Sequence, residues 1–171
     1  MGPFPHDAEK SKITRNNPVG CDGFEFVEFA SAEPQKLRDL FLQMGYTHVA
    51  NHKSKLIELW QQGDITYVLN ADPDSFAAGF VQEHGPCAPS MGWRVVDARQ
   101  ALAHVVEQGA EEYTGAGKVL DVPAIKGIGG SLIYFVDQYY DTSPYNEEYN
   151  WIAQSKPEGV GFYYLDHLTH N

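Results

Sequence analysis

The stretch Gly23-Phe24-Glu25-Phe26-Val27-Glu28-Phe29 is an aromatic and β-branched run, and directly behind it the hydrophobic period changes. The run has the composition of a strand with apolar material on both faces. From Ser31, which reads as an N-cap, Pro34 falls in the first turn of a helix. Leu37, Leu40, Phe41 and Met44 then recur at helical spacing until Gly45 supplies a stop. The spacing predicts a helix over Pro34 to Met44, with Leu40 and Phe41 buried. Three strand candidates follow: Thr47 to His52, Leu56 to Trp60 and Ile65 to Leu69, the last two joined by a turn at Gly63-Asp64. The unit from about Asp22 to Asn70 reads βαβββ.

The same order recurs downstream. Gly92-Trp93-Arg94-Val95-Val96 echoes Gly23-Phe24-Glu25-Phe26-Val27 in its glycine, its aromatic and its alternation. Asp97 and Gln100 stand where a capping box places them, Ala98, Ala101, Leu102 and Val105 make one apolar face, and Gly109 ends the pattern. This predicts a second helix over Ala98 to Gln108, with Leu102 and Val105 buried. Val119 to Val122 and Leu132 to Val136 read as strands, and Tyr134-Phe135-Val136-Asp137 matches Tyr67-Val68-Leu69-Asn70 in type and place. The expected architecture is α+β, with paired βαβββ modules over residues 22–138.

Around this pair lie three further segments. Residues 1–21 are polar and proline-containing, an N-terminal arm rather than core. Residues 139–160 have no sustained period and suit a connecting segment. Residues 161–171 restart a strand pattern in Gly161-Phe162-Tyr163-Tyr164-Leu165-Asp166-His167-Leu168, expected to be the first strand of a third module that continues past Asn171.

Composition narrows the functional classes. A chain of 171 residues with 43% hydrophobic residues can bury a sizeable core as one unit or two small fused ones. The formal charge of −11 leaves no basic stripe for a phosphate backbone, so nucleic acid is not an expected partner. Apolar stretches such as Leu132 to Val136 fall far short of the roughly 20 residues of a membrane-spanning helix. Met1 to Asn17 includes His6, Asp7, Glu9 and Lys10 and lacks the apolar core of a signal peptide, so a cytoplasmic protein is expected. Cys21 and Cys87 match no metal-binding or redox spacing and are expected to be reduced, a disulfide being the lesser reading.

Several segments together resemble one enzyme family. Asn17-Pro18, the Gly23 to Phe29 run, Glu83-His84-Gly85-Pro86, Leu120-Asp121-Val122-Pro123-Ala124-Ile125-Lys126-Gly127-Ile128-Gly129-Gly130 and Asp166-His167-Leu168-Thr169-His170-Asn171 occur in the order found in 4-hydroxyphenylpyruvate dioxygenases. The resemblance covers nearly the whole chain from Asn17 onward. It implies the vicinal-oxygen-chelate fold, with two βαβββ modules here and the first strand of a third. It further implies that His167 is the first ligand of a non-haem Fe(II), the other histidine and a glutamate coming from a carboxy-terminal half. Two histidines and a carboxylate hold such an iron on one face and leave positions for a 2-oxo acid and O₂. In the full-length enzyme the resemblance implies Fe(II), a small aromatic 2-oxo acid, O₂ and a homo-oligomer. For these 171 residues alone it implies a structural role, no bound iron and no turnover. A 4-hydroxymandelate synthase-like enzyme and a metal-free small-molecule-binding module of the same fold stay open as alternatives.

Other residues invite chemistry less strongly. His170 is three residues from His167 and would point to the opposite face of a strand, which leaves it outside the metal shell. His48 and His52 on one strand would be separated by roughly 13 Å, too far to chelate together. The cluster Gly127-Ile128-Gly129-Gly130 leads into a strand rather than a helix, which favours a tight turn over a phosphate loop. Glu25, Glu28, Asp97 and Asp137 read as solvated or capping carboxylates.

Overall fold

The structure, a computed structural model, describes residues 9–139 and 143–169. In chain order its elements are β1 (Phe24–Ala30), α1 (Pro34–Gln43), β2 (Thr47–His52), β3 (Ile57–Gln62), β4 (Ile65–Asn70), α2 (Phe76–His84), β5 (Cys87–Arg94), α3 (Ala98–Glu107), β6 (Ala124–Lys126), β7 (Leu132–Val136), α4 (Tyr145–Glu148) and β8 (Tyr149–Trp151). The strands form one sheet in the order β6-β7-β5-β1-β4-β3-β2-β8. In the first module β1 runs parallel to β4, and β3 and β2 follow outward in antiparallel pairing. The second repeats this with β5 parallel to β7 and β6 outside it. The modules meet through their first strands, β1 antiparallel to β5, with Glu28 opposite Ser90 and Phe26 opposite Gly92. A Cβ on Gly92 would fall 2.4 Å from the Phe26 ring, so a glycine here lets that ring lie across β5.

Strand alternation sorts the core onto two faces. On one face α1 lays Phe41 against Tyr46, Trp60, Ile65 and Leu69, and α3 lays Ala98 and Ala101 against Val95, Ile125 and Phe135. Leu102 and Val105, expected to be buried, are only half-buried against the second group. Leu40, expected to be buried as well, is 46% exposed. Leu37, Phe41 and Met44 make a narrow stripe, and Leu40 lies at its edge. On the other face Phe26, Ile57, Leu59, Val68, Leu132, Tyr134 and Val136 pack beneath Val119, Leu120, Tyr145 and Tyr149. The middle of that face is filled with side chains.

Both predicted helices form, each one residue shorter than expected. Pro34 at the start of α1 moves the N-cap to Glu33, so Ser31 does not cap the helix and instead accepts from the Glu33 N–H at 3.0 Å. Asp97 caps α3 through the Gln100 N–H at 2.8 Å, and Asp137 accepts from the Ala98 N–H at 3.0 Å, the capping role expected of both. Strand β5 begins at Cys87, ahead of the expected Gly92, and α2, α4 and β8 occupy stretches without a predicted element.

Two expected strands are absent among the described residues. Val119 to Val122 make no ladder. The Val119 N–H donates to the Tyr134 hydroxyl at 3.3 Å and its carbonyl accepts from the Tyr149 hydroxyl at 3.4 Å, while Val119 and Leu120 serve as core. The second module is therefore βαββ, with a single bridge, Glu112 to Ile125, where β2 stands in the first. Residues 161–169 are irregular rather than a strand. The start of that segment is held by the β3–β4 turn and the Gln62 side chain instead of a neighbouring strand.

Candidate functional site

The segment leading to His167 is docked on the β3–β4 turn. The fully buried Gln62 donates to the Met44 carbonyl at 2.9 Å, while its Oε1 accepts from the Val160 N–H at 2.6 Å and the Phe162 N–H at 3.4 Å. The Gly63 N–H donates to the Pro157 carbonyl at 2.7 Å, and the Asp64 N–H to the Tyr163 carbonyl at 2.6 Å. Gly63 has φ +53°, and a Cβ on it would fall 2.4 Å from Tyr163 Cα, so the close approach itself requires glycine. Beyond this dock, His167 is exposed. Its Nδ1 lies 2.6 Å from Asp166 Oδ2, the arrangement in which a carboxylate holds the Nδ1 proton and leaves Nε2 available as a donor to a metal. His170 lies outside the described residues.

Among the described residues, no three His, Cys, Asp or Glu side chains gather closely enough to hold a metal ion. The β2 histidines are used elsewhere. His48 stacks on Trp60 at 5.0 Å, with Nε2 facing the Ala50 carbonyl and Asn51 Oδ1, so that nitrogen carries the proton. His52 Nδ1 accepts from the N–H groups of Ser54 and Lys55, both at 3.1 Å, which leaves Nε2 to donate to Glu148 at 3.4 Å. Burial lowers the His52 pKa and keeps the ring neutral. Gly129 and Gly130, with φ +64° and +81°, form the tight turn expected between β6 and β7. Cys21 and Cys87 are free thiols, and burial raises the pKa of each.

Glu25 and Glu28 depart from the sequence expectation, for both are buried rather than solvated. Glu25 accepts from Arg94 Nε at 2.9 Å, and both side chains are below 5% exposed. Glu28 accepts from Asn70 Nδ2 at 2.7 Å and from the Ser90 hydroxyl. Burial pushes its carboxyl up in pKa, against the opposing pull of those two hydrogen bonds. These partners lie 42 to 69 residues away in sequence, so local pattern carries no sign of them. The only available signal was the absence of an outward-facing side in the Phe24 to Phe29 run.

A single sheet made of two related modules, first strand against first strand with a helix behind each, defines a vicinal-oxygen-chelate protein. The profile of the family described as "Hydroxyphenylpyruvate dioxygenase, HPPD, N-terminal" matches residues 15–150, and the chain belongs to that family. It is 44% identical over 169 residues to the 4-hydroxyphenylpyruvate dioxygenase of Pseudomonas aeruginosa, covering 94% of this chain and 47% of that protein. It is 46% identical over 164 residues to Hemolysin VllY of Vibrio vulnificus, covering 91% of this chain and 46% of that one. Among solved structures, a xylose isomerase-like TIM barrel/4-hydroxyphenylpyruvate dioxygenase fusion protein superposes with a TM-score of 0.68 at 31% identity, over 77% of this chain and 21% of its own. The chain spans about half the length of the curated relatives it matches. No helix among the described residues is long and apolar enough to cross a membrane.

Proposed function

We propose that this chain is the non-catalytic N-terminal part of a 4-hydroxyphenylpyruvate dioxygenase, which converts 4-hydroxyphenylpyruvate and O₂ to homogentisate and CO₂ in tyrosine catabolism, and that His167 is one of its three iron ligands. The division proposed is an arm over 1–21, paired modules over 22–138, a connection over 139–160 and the start of the catalytic domain from 161. Fe(II), when bound, supplies open positions at which a 2-oxo acid and O₂ meet. This chain's part is to present His167, its Nδ1–H donated to Asp166, on a segment held to the β3–β4 turn by Gln62. The enzyme is proposed to be a cytoplasmic homo-oligomer.

The observation that carries the proposal is the 44% identity to a named dioxygenase across 94% of the chain. The test is a chimera in which these 171 residues replace the matching half of the Pseudomonas aeruginosa relative. Stoichiometric iron and oxygen uptake with 4-hydroxyphenylpyruvate are expected, both lost in His167→Ala. Undiminished iron content and uptake in the His167→Ala chimera would remove the assignment of His167. A folded chimera that binds iron but ignores 4-hydroxyphenylpyruvate would count against the substrate.

A further inference from the structure

The stretch from Lys156 to Tyr163 is bound to the β3–β4 turn mainly through its backbone. Gln61 Oε1 accepts from the Lys156 N–H at 3.0 Å, and Gln62 Oε1 from the N–H groups of Val160 and Phe162. The Gly63 and Asp64 N–H groups donate in turn to the carbonyls of Pro157 and Tyr163. Apolar burial does little of this work, since Val160 is 68% exposed, Phe162 52% and Tyr163 59%. A dock made of hydrogen bonds at the surface is one that a single substitution can open.

The fit is shaped from both sides. Lys156 has φ +53°, a backbone conformation unfavourable for any residue but glycine, and it is held there by its bond to Gln61. Gly159 has φ +60°, and a Cβ on it would fall 2.5 Å from Gln62 Cδ. A Cβ on Gly45, behind α1, would fall 2.8 Å from Val160 Cγ1. Between these close approaches Gln62, the last residue of β3, is fully buried with both ends of its amide engaged, Nε2 on the Met44 carbonyl and Oε1 on the two N–H groups of the segment. Filling that space needs no amide, because a methionine of about the same volume would do so without hydrogen-bonding demands. What the amide adds is a bond from the α1–β2 turn, through β3, to the chain that leads to His167.

We propose that Gln62 is a positioning residue that couples iron occupancy to the paired modules, an inference that rests on the reading of His167 given above. Docked, the chain is last held at Tyr163, four residues before His167. Released from Gln62, it is held at Lys156 by Gln61, eleven residues before His167. The local concentration of a tethered group falls as about the 3/2 power of the free length, so release dilutes His167 at the metal about fivefold. Linkage makes the effect reciprocal. Iron held by His167 favours the docked segment by the same factor, and the modules that contain no iron ligand of their own in this reading still respond to the metal.

Two variants release the segment from opposite sides. Gln62→Met keeps the volume and removes the amide, whereas Gly159→Ala sets a methyl group against Gln62 and leaves every hydrogen-bonding group of the hairpin in place. Amide hydrogen exchange on this chain should show Val160 and Phe162 losing protection in both variants, with Leu59 and Val68 of the core strands unchanged. In the chimera described above, anaerobic Fe(II) titration should give about fivefold weaker binding for each variant and no further loss when the two are combined. Oxygen uptake should return to the unsubstituted level at saturating Fe(II), and Fe(II) should slow exchange at Val160 and Phe162 in the unsubstituted chimera. Iron affinity within about twofold of the unsubstituted chimera, in variants whose Val160 and Phe162 amides have lost protection, would overturn the positioning role. Unchanged protection at those amides in both variants, or loss of protection at Leu59 and Val68 in both, would overturn the dock. Iron binding indifferent to His167→Ala in the chimera would instead overturn the reading of His167, and this inference with it.

Discussion

Replacing Phe41 and its neighbour Leu40 by alanine, one at a time, tests how α1 sits on the sheet. Phe41 is 1% exposed, and its ring centroid lies 5.5 Å from that of Phe29, 6.1 Å from Tyr46, 5.8 Å from Trp60 and 5.2 Å from Tyr67. Removing a buried phenylalanine costs about 3–5 kcal/mol, and aromatic pairs are worth roughly 0.5–1.5 kcal/mol each beyond the area they bury. With four such neighbours the Phe41→Ala loss belongs near the top, at about 4–5 kcal/mol. Leu40 is 46% exposed. Full burial of a leucine is worth about 1.5–3 kcal/mol, so truncating a half-exposed one costs on the order of 1 kcal/mol. Urea titration followed by far-UV circular dichroism and by the fluorescence of Trp60, which packs on Phe41, measures both. A 1 kcal/mol loss lowers the melting temperature of a chain this size by about 2–4 °C, so Phe41→Ala should fall by roughly 8–20 °C and Leu40→Ala by a few degrees. Losses within about 1 kcal/mol of each other, or a larger loss at Leu40, would show that α1 is rotated from the orientation described.

Glu28→Gln keeps the shape and an acceptor for Asn70 while removing the titrating group. Because burial raises the Glu28 pKa, the folded carboxyl stays neutral where the unfolded one, near 4.3, is already charged. Wild-type stability is therefore fullest below that unfolded value and drains away as pH rises from it toward the folded pKa, so the variant should gain on the wild type as pH rises above the unfolded value; a difference that does not move with pH refutes this. Arg94→Met removes the buried cation that pairs with Glu25 and should cost about 3–5 kcal/mol, whereas adding Glu25→Gln should recover at least about 1 kcal/mol, and strictly additive losses would mean that the pair is not coupled.

What was legible in the sequence was what local spacing encodes. The change from the Phe24 to Phe29 run to the Leu37, Phe41, Met44 stripe set the β1–α1 step, and Asp97 announced α3 because its cap lies three residues away. Helix α2 carried a readable signal in Ser75, which caps the Ala78 N–H, and in the helical spacing of Phe76, Phe80 and His84. Val119 to Val122 misled because a β-branched run predicts burial as readily as pairing, and two distant tyrosine hydroxyls claimed the backbone of Val119. The carboxylates of Glu25 and Glu28 misled for a related reason. Polar residues in a strand run suggest a wet face until the partner strands arrive, and here those strands bring Arg94, Asn70 and Ser90.

The same long-range pairing bears on what a duplicated module can contribute to chemistry. At the centre of the tyrosine-filled face Glu28 accepts from Asn70 and Ser90, while the Tyr134 and Tyr149 hydroxyls hold the backbone of Val119. The outer strand is equally committed, since His52 receives two backbone N–H groups and gives its remaining one to Glu148. On the proposed reading, this half acts on the iron through position alone. Gln62, Gly63 and Asp64 fix the chain from Pro157 to Tyr163, and His167 follows four residues after the last of these contacts. A segment anchored that close to a ligand has few residues left in which to wander, so the entropy of presenting His167 is reduced by the fold of the paired modules before any metal arrives.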